Sequence, residues 1–593
     1  MPLNLRNLAL GIFSLAAINL QAQSAKQLTL DSFSNNKGTW SSVAEVSTNP
    51  LTSKELSGSG KGSIMLNQPT KKNQGTDIIS NESFGDVDLK MTYMMGEGSN
   101  SGIYLQGQYE VQLFDSWKET TPRAGGNGGV YERWDESKPD GQKGYQGYAP
   151  RQNVSKAPGV WQTLEVSFKA PRFDAAGKKT ENARFRYIKL NGVTIHEDLE
   201  VFGPTRGALK AADIAEGPIR IQGDHGPVAI KSLEVMEMNF PEPTLGSISY
   251  TLYPGSFTEL TETASLKAAN FGTISKFEDF QTGISGPTLT KFEGVLEIKK
   301  AGNYTLDVMV PEGLGAIQLG AGAEKIVFNP YSSQVKKSLD AGNIPYTIWV
   351  SKPRDWSAQG FQWTVSNDAM WPVALSSPAI APDYFADPIW VDSESTPVLR
   401  SFIKLPDGKN LSHAVSVSSK AGVHFTYDLS SHQLIRVWRG QFLDATPMWN
   451  DRGNGITLPL GVITNLNEGK LLLENADKMG LKSTGYAVRG DGDILFTGLT
   501  DSGNAFSDHL KLNSDGTGLE RTIQIAGIPV GTTVQVAAGG GLKKISDIIY
   551  LIEESGLYLQ VADKGVIPTQ MPTADGQGIF LPFNGNLSYS LLF

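Results

Sequence analysis

The run "YEVQLFD", Tyr109 to Asp115, sets a carboxylate and an amide two residues apart, with Phe114 two further on and Asp115 at the end. Successive side chains of an extended strand point to opposite faces. Glu110, Gln112 and Phe114 therefore share one face, and Tyr109, Val111 and Leu113 the other. A bare sheet surface more often carries Thr, Lys or Ser. The row is either the solvated face of an ordinary sheet or the floor of a site for a hydroxyl-rich ligand. A second polar group lies in "GPIRIQGDHG". Ile219 and Ile221 point one way, Arg220 and Gln222 the other, and Asp224 and His225 fall in the turn that follows. A histidine in a turn is ordinarily just exposed. This one is flanked by Gly223 and Gly226, which permit positive φ or a close backbone approach.

The third group is a long irregular segment, Lys118 to Pro158, with the residues just after it. It carries Tyr131, Arg133, Trp134, Tyr145, Tyr148, Arg151 and Trp161. Aromatic rings stack on the apolar C–H faces of sugars, while arginine and amide donors reach the hydroxyls. The plain alternative is a long loop pinned down by its own aromatics.

These groups need strands to position them, and the chain supplies strand signals throughout. "GDVDLKMTYMM", "GIYLQG", "YEVQLFD", "WQTLEVSFKAP", "ARFRYIKLNGVTIHE", "GPIRIQG" and "VAIKSLEVMEM" alternate or run apolar over strand lengths. Asn191-Gly192 is a two-residue hairpin signal. With 593 residues, 64 Gly and 31 Pro, the chain is too long for one core and rich in turns. The Pro-rich "NFPEPTLGS" at 239–247 reads as a linker, and a second boundary is expected near "SSPAIAPDYFADP". No fixed-period repeat or long amphipathic helix is apparent. The expected architecture is all-β and multidomain: an N-terminal β-sandwich over 27–240, then further β-sandwich domains at 245–370 and 385–593.

Composition narrows the function classes. A net charge of −9 without a long basic run argues against nucleic acid and anionic membranes as partners. With no cysteine, disulfides, thiolate metal sites, c-type haem attachment and cysteine nucleophiles are excluded. Arg6 followed by "LALGIFSLAAINL" and "QAQSA" reads as a signal peptide over 1–22, cut after Ala22. The apolar run is shorter than the roughly 20 residues needed to span a bilayer, so no stable membrane insertion is expected, and the protein is expected in the periplasm or outside the cell.

The motifs "NSGIYLQG", "YEVQLFD", "GGVYERW", "PGVWQTLEV", "LNGVTIHED" and "GPIRIQGDHG" occur in the order in which the 3-keto-disaccharide hydrolase domain family carries them. Residues 27–240 resemble that family, and the resemblance implies a lectin-type, concanavalin/glucanase-like β-sandwich, or jelly roll. The resemblance implies a pocket on the concave sheet lined by Glu110, Gln112, Asp115, Gln222 and His225. It implies His225, Glu110 and Asp115 as catalytic groups, or as ligands of a divalent metal such as Zn²⁺, Mn²⁺ or Ca²⁺. No cofactor is implied with certainty. It also implies Gln112, Gln222, Tyr104, Tyr131, Arg133, Arg151 and Trp161 as substrate contacts. Protein partners are not indicated.

The similar laminarinase-type sandwich carries E-x-D-x-E on one strand, where this chain has Glu110-x-Gln112-x-Phe114. A retaining glycosidase needs two carboxyl groups about 5 Å apart, so ordinary retaining hydrolysis on this strand is not expected. Chemistry on a 3-keto-glycoside relaxes that need, because a ketone at C3 acidifies the C2 hydrogen. One base removes it, and the C1 substituent leaves by β-elimination, with water addition completing a net hydrolysis. The alternatives are a non-catalytic carbohydrate-binding protein and a structural surface protein.

Residues 245–370 resemble the β-sandwich module named after the anthrax protective antigen, through "KFEGVLEIKKAGNYTLDV", "GAIQLG" and "LDAGNIPYTIWVSKPRDWSAQGFQW". No Asp-Asp pair supports calcium-dependent binding there, and a spacer role is as plausible. Residues 385–593 resemble a C-terminal β region of large secreted bacterial proteins. In it His413, His424, Tyr427, Arg439, Asp444 and Trp449 could form a second carbohydrate site or simply occupy sandwich corners.

Overall fold

The computed structural model describes residues 25–34, 38–260, 263–328, 333–355, 360–376, 387–468, 473–474, 479–574 and 576–593. The expected signal peptide lies outside them, as does most of the expected boundary near "SSPAIAPDYFADP". Strands are the dominant regular structure of the described chain, and its one α-helix among those residues is the single turn Thr446–Trp449. The chain divides into two compact units, Ala25–Glu237 together with Phe385–Phe593, and Met238–Tyr384.

The first domain, up to Glu237, is a sandwich of two antiparallel sheets. The larger runs Val193–Val201, Ala183–Leu190, Gln162–Lys169, Val87–Met95, Val228–Glu237, Ser57–Asn67 and Trp40–Ser47. The five-stranded sheet runs Phe33–Ser34, Ile78–Phe84, Gly217–Ile221, Asn100–Leu105 and Tyr109–Phe114. Their inner faces share one core. Ile103, Leu105, Tyr109, Val111, Leu113, Ile219 and Ile221 come from the smaller sheet, and Met91, Tyr93, Leu164, Val166, Phe168 and Phe185 from the larger. The apolar alternation thus decides which way each strand faces. Asn191 (φ 51°) and Gly192 (φ 82°) form the expected hairpin turn between Ala183–Leu190 and Val193–Val201, with the paired positive φ that suits the twist of flanking strands.

The unit Met238–Tyr384 is a second sandwich. A seven-stranded and a four-stranded sheet close on a core that includes Phe292, Leu306, Ile317, Ile348, Trp363 and Val365.

The C-terminal domain packs six-, four- and eight-stranded sheets around a core with Val415, Phe425, Phe496, Leu510, Val534, Ile579 and Leu591. The second carbohydrate site considered for this region is not what these residues build. His424 is 1% exposed and its Nε2 bonds the Gly440 carbonyl at 2.9 Å. Burial pushes its imidazole down to about 4. Tyr427 stacks on Phe496 at 3.8 Å between ring centroids and donates to Asp508. Arg439 is buried and spends its guanidinium on backbone carbonyls. Only His413 and Trp449 of the set are exposed. Aromatic and charged residues alternate here as they would around a ligand, but three of them point into a core.

That core also encloses an ion pair, Arg521 Nη2 to Asp508 Oδ2 at 2.6 Å, with both side chains essentially without solvent exposure. Tyr427 and Tyr589 complete its hydrogen bonds. Breaking a buried pair leaves one charge uncompensated, which costs about 3–5 kcal/mol. Arg521→Met should therefore lower the thermal unfolding temperature of this domain markedly. The double replacement Arg521→Met/Asp508→Leu should recover most of the loss. Equal melting of the single and double variants would show that the pair is not the stabilising unit.

Candidate functional site

The strand Tyr109–Phe114 is buried on both faces. Tyr109, Val111 and Leu113 fill the core with no exposure, and on the opposite face Glu110 is 1% and Gln112 4% exposed. Cross-strand pairing carries that outer face across the sheet. Glu110 lies opposite Tyr104, and Gln112 opposite Gly102. Tyr104 in turn lies opposite Arg220, and the Gln222 backbone N–H donates to the Gly102 carbonyl. Residues 128–131 extend the sheet beyond its edge. Gly128 N–H donates to the Gln112 carbonyl, Gln112 N–H to Gly129, and Tyr131 N–H to Glu110. Tyr131 therefore stands beside Glu110 on the site face.

Glu110 is the electrostatic centre of this row. Burial pushes its carboxyl up to about 8, against opposing contributions from the Tyr104 hydrogen bond and the Arg220 charge, while Asp77 and Asp224 push it further up. Near neutral pH it is a carboxylic acid rather than a carboxylate. Its oxygen lies over the Gly102 backbone so closely that a Cβ at position 102 would fall 2.1 Å from Oε1. Arg220 is fixed by Asp77, with Nε and Nη2 at 2.6 and 2.5 Å from Oδ2, and its guanidinium lies 4.5 Å from the Tyr104 ring centroid. Asp77 also accepts the Gly223 N–H at 2.9 Å, which ties the glycine before the Asp224-His225 turn to the same network.

His225 and Asp224 are exposed at the edge of this face. His225 Nδ1 is 2.5 Å from Asp224 Oδ1 and 3.2 Å from Gln222 Nε2. With Nδ1 donating to Asp224, Nε2 presents its lone pair outward, as a histidine oriented by a carboxylate does. Asn100, on the same face, leaves its buried Oδ1 without a hydrogen-bond partner among the described residues, an acceptor that a bound hydroxyl would satisfy.

The structure thus sets Glu110, Gln112, Tyr104, Tyr131 and Gln222 on one face, with His225 in the turn that follows Gln222 and within reach of its amide. It does not bring Asp115 to them. Asp115 sits one position beyond the strand and on the other side of the pleat. There it accepts the Gly98 N–H at 2.8 Å and the Trp117 N–H at 3.2 Å, and burial raises its carboxyl. Arg151 pairs with Glu197 at an exposed position beside the strand Val193–Val201. Trp161 packs with Val43, Ile64 and Met94 in a separate cluster. Arg133 bonds Gln146 and lies against the Tyr145 ring and Gly203. Aromatic and arginine content marked these three as sugar contacts, but it does not say where each points. Asp77, Asn100 and the orienting role of Asp224 were not singled out. Only the adjacency of Asp224 and His225 held a signal for any of them. No three His, Asp or Glu side chains among the described residues converge to hold a metal ion. The donor set expected for a divalent metal, Glu110, Asp115 and His225, is split by the pleat and does not fit one.

Residues 28–236 match the family model of the 3-keto-alpha-glucoside-1,2-lyase-like domain, so the resemblance seen in the motifs holds over about a third of the chain. No curated protein matches. Among solved structures, one described as a "putative glycosyl hydrolase" from Parabacteroides distasonis ATCC 8503 is 24% identical, covering 35% of this chain and 82% of that one, with a TM-score of 0.22. A second of the same description and organism is 15% identical, covers 35% and 98%, and scores 0.22. An "anti-sigma factor domain-containing protein" is 11% identical, covers 48% and 98%, and scores 0.16. The domain match makes residues 28–236 a carbohydrate-active type of domain.

A buried acid that stays protonated leaves a mark on stability. In the unfolded chain Glu110 ionises at its ordinary value of 4.5, and in the fold it keeps its proton up to about 8. Between these values the unfolded state releases a proton that the folded state retains. The contribution is therefore whole below 4.5, is lost as pH rises towards 8, and is constant above. Glu110→Gln removes this slope. At pH 8 the variant should be the more stable, by roughly 2–4 kcal/mol, and the two proteins should converge near pH 4. Thermal melts across that range check it, and parallel profiles for parent and variant would mean that Glu110 is not held neutral.

Proposed function

We propose that the domain of residues 28–236, matched as 3-keto-alpha-glucoside-1,2-lyase-like, cleaves 3-keto-glycosides by proton abstraction at C2 and β-elimination at C1. The observation that carries this reading is the pairing, on one sheet face, of a neutral buried acid with an oriented, exposed imidazole. A buried proton donor beside an exposed imidazole oriented by a carboxylate is the arrangement that an acid and a base acting on one substrate require.

His225, with Nδ1–H held by Asp224, takes the C2 proton on Nε2. The C2–H electron pair becomes the C1–C2 double bond as the C1–O bond breaks, and Glu110 gives its proton to the departing oxygen. Negative charge developing on the C3 oxygen during proton removal is met by donors fixed beforehand, the amides of Gln112 and Gln222 and the Arg220 guanidinium. Fixed donors of this kind stabilise a transition state without reorganising during the reaction. Addition of water to the enone product regenerates a 3-keto sugar and makes the net reaction a hydrolysis. The Tyr104 hydroxyl donates to the Glu110 carboxyl and orients it, and Tyr131 offers a ring to the sugar face. The Arg6-led apolar run with its cut after Ala22 supports export to the periplasm or beyond. N-terminal sequencing of protein recovered from cells tests that.

Purified protein incubated with 3-keto-trehalose, 3-keto-lactose and their parent sugars, with products followed by mass, tests the activity. Only the keto sugars should be consumed. His225→Gln and Glu110→Gln should each lower kcat by about 10²-fold or more, the usual worth of a positioned acid or base. The parent's kcat should fall as pH rises through about 8, the value at which Glu110 loses its proton. A folded His225→Gln protein with the parent's rate would overturn the assignment. Tight sugar binding with no turnover by the parent would establish a lectin instead.

A further inference from the structure

The wall of the site is gripped by a different domain. The loop from Ser116 to Val160 supplies the 128–131 extension and Tyr131, and both of its ends are buried against the C-terminal domain. Trp117 has no exposure and its indole Nε1–H donates to the Phe593 carbonyl at 2.9 Å. At the other end the Tyr558 hydroxyl donates to the Pro158 carbonyl at 2.8 Å. Gly159 (φ 80°) lets the chains meet there, since a Cβ would fall 2.4 Å from that hydroxyl. Trp117, Ala157, Val160, Ile549, Tyr558 and Leu592 form one apolar cluster across the junction. Arg439, whose guanidinium burial pulls down to about 10 against the charge of Asp115, also donates to the Phe593 carbonyl.

From this grip a short chain of hydrogen bonds leads to the site. Ser116, next to Trp117, accepts the Asn127 N–H at 3.0 Å on its Oγ, and the Asn153 amide at 2.7 Å on its carbonyl. Asn127 is 3% exposed, accepts from the Tyr93 hydroxyl at 2.7 Å and donates to Ser155 at 3.1 Å. The next residue, Gly128, begins the extension that pairs with Gln112 and Glu110, and its carbonyl is held by His196 at 3.0 Å.

We infer that the C-terminal domain positions the wall of the candidate site, with Trp117 and Tyr558 as positioning residues that hold residues 128–131 against Glu110 and Gln112. A lone loop of this length would lose its register by fraying from its ends. Clamping both ends to a large core removes that freedom, and the ordering is then part of the fold rather than a cost of binding. The consequence for turnover rests on the function proposed above; the consequence for loop order does not.

The test uses the full chain with Tyr558→Phe, which removes a hydrogen bond and keeps the ring, Trp117→Phe, which removes a hydrogen bond and exchanges the indole for a smaller phenyl ring, and the double variant. Hydrogen exchange is read in two places, the peptides covering 118–148 and the central strand Val87–Met95. The double variant should exchange at least 10-fold faster in the loop and unchanged in the central strand. With a 3-keto-glycoside, kcat/KM should fall at least 5-fold, most of it in KM, because the chemical groups stay in place. Exchange rising equally in both places would show a merely structural junction and overturn the inference, as would unchanged loop exchange in a folded double variant. If the double variant does not fold, Tyr558→Phe alone decides by the same readouts. Faster loop exchange in the double variant, with no turnover of keto sugar by the parent, would keep the clamp and discard the activity.

Discussion

One strand buried on both faces governs this domain. Tyr109, Val111 and Leu113 belong to the sandwich core, so the pleat sends Glu110 and Gln112 outward. Outward is nevertheless not into water, because both side chains are buried, while the extension at 128–131 and Thr205 bond the strand's backbone. A carboxyl group in that position does best by keeping its proton. The raised pKa of Glu110, the bare Gly102 beneath it and the tethering of Arg220 by Asp77 all answer the same constraint. A polar row has been taken out of water, and its members must be satisfied by one another or by a ligand.

The same constraint explains why the cover is anchored so heavily. An irregular loop carries backbone groups that need partners. Here Asn127 and Asn153 bond back onto the loop and its neighbours, His196 holds Gly128, and the C-terminal domain holds both ends. The carboxylate at the end of the strand, Asp115, belongs to this anchoring rather than to the reacting face. Its oxygens are committed to the Gly98 and Trp117 amides, at the edge of the junction where Arg439 meets Phe593. A group that reads as a second catalytic acid is thus part of the hinge between loop and domain.

Charged and aromatic side chains also fill cores in this protein. Arg521 and Asp508 are enclosed with Tyr427 and Tyr589, and His424 lies neutral among Trp438 and Phe442. A fully satisfied pair can be buried without instability when every hydrogen bond is made. It is then indistinguishable, in a sequence, from a binding site.

The sequence by itself determined the strand pattern, the hairpin at Asn191-Gly192, and the sharing of a face by Glu110 and Gln112 on one strand and by Arg220 and Gln222 on another. Those follow from period-two geometry and local turn chemistry, which need only neighbours along the chain. The ordered motifs of residues 27–240 carried the family likeness for the same reason: each is a local signature. Only the tertiary structure decided which side of the pleat Asp115 serves, that Arg151 and Trp161 point away from the site, and that His424, Tyr427 and Arg439 are interior. It alone paired Asp77 with Arg220 across 143 residues of chain and brought Tyr558 to Pro158 across 400. Long-range contacts are made by the packing of whole sheets, and no spacing between two residues encodes where a loop of some forty residues will turn its side chains.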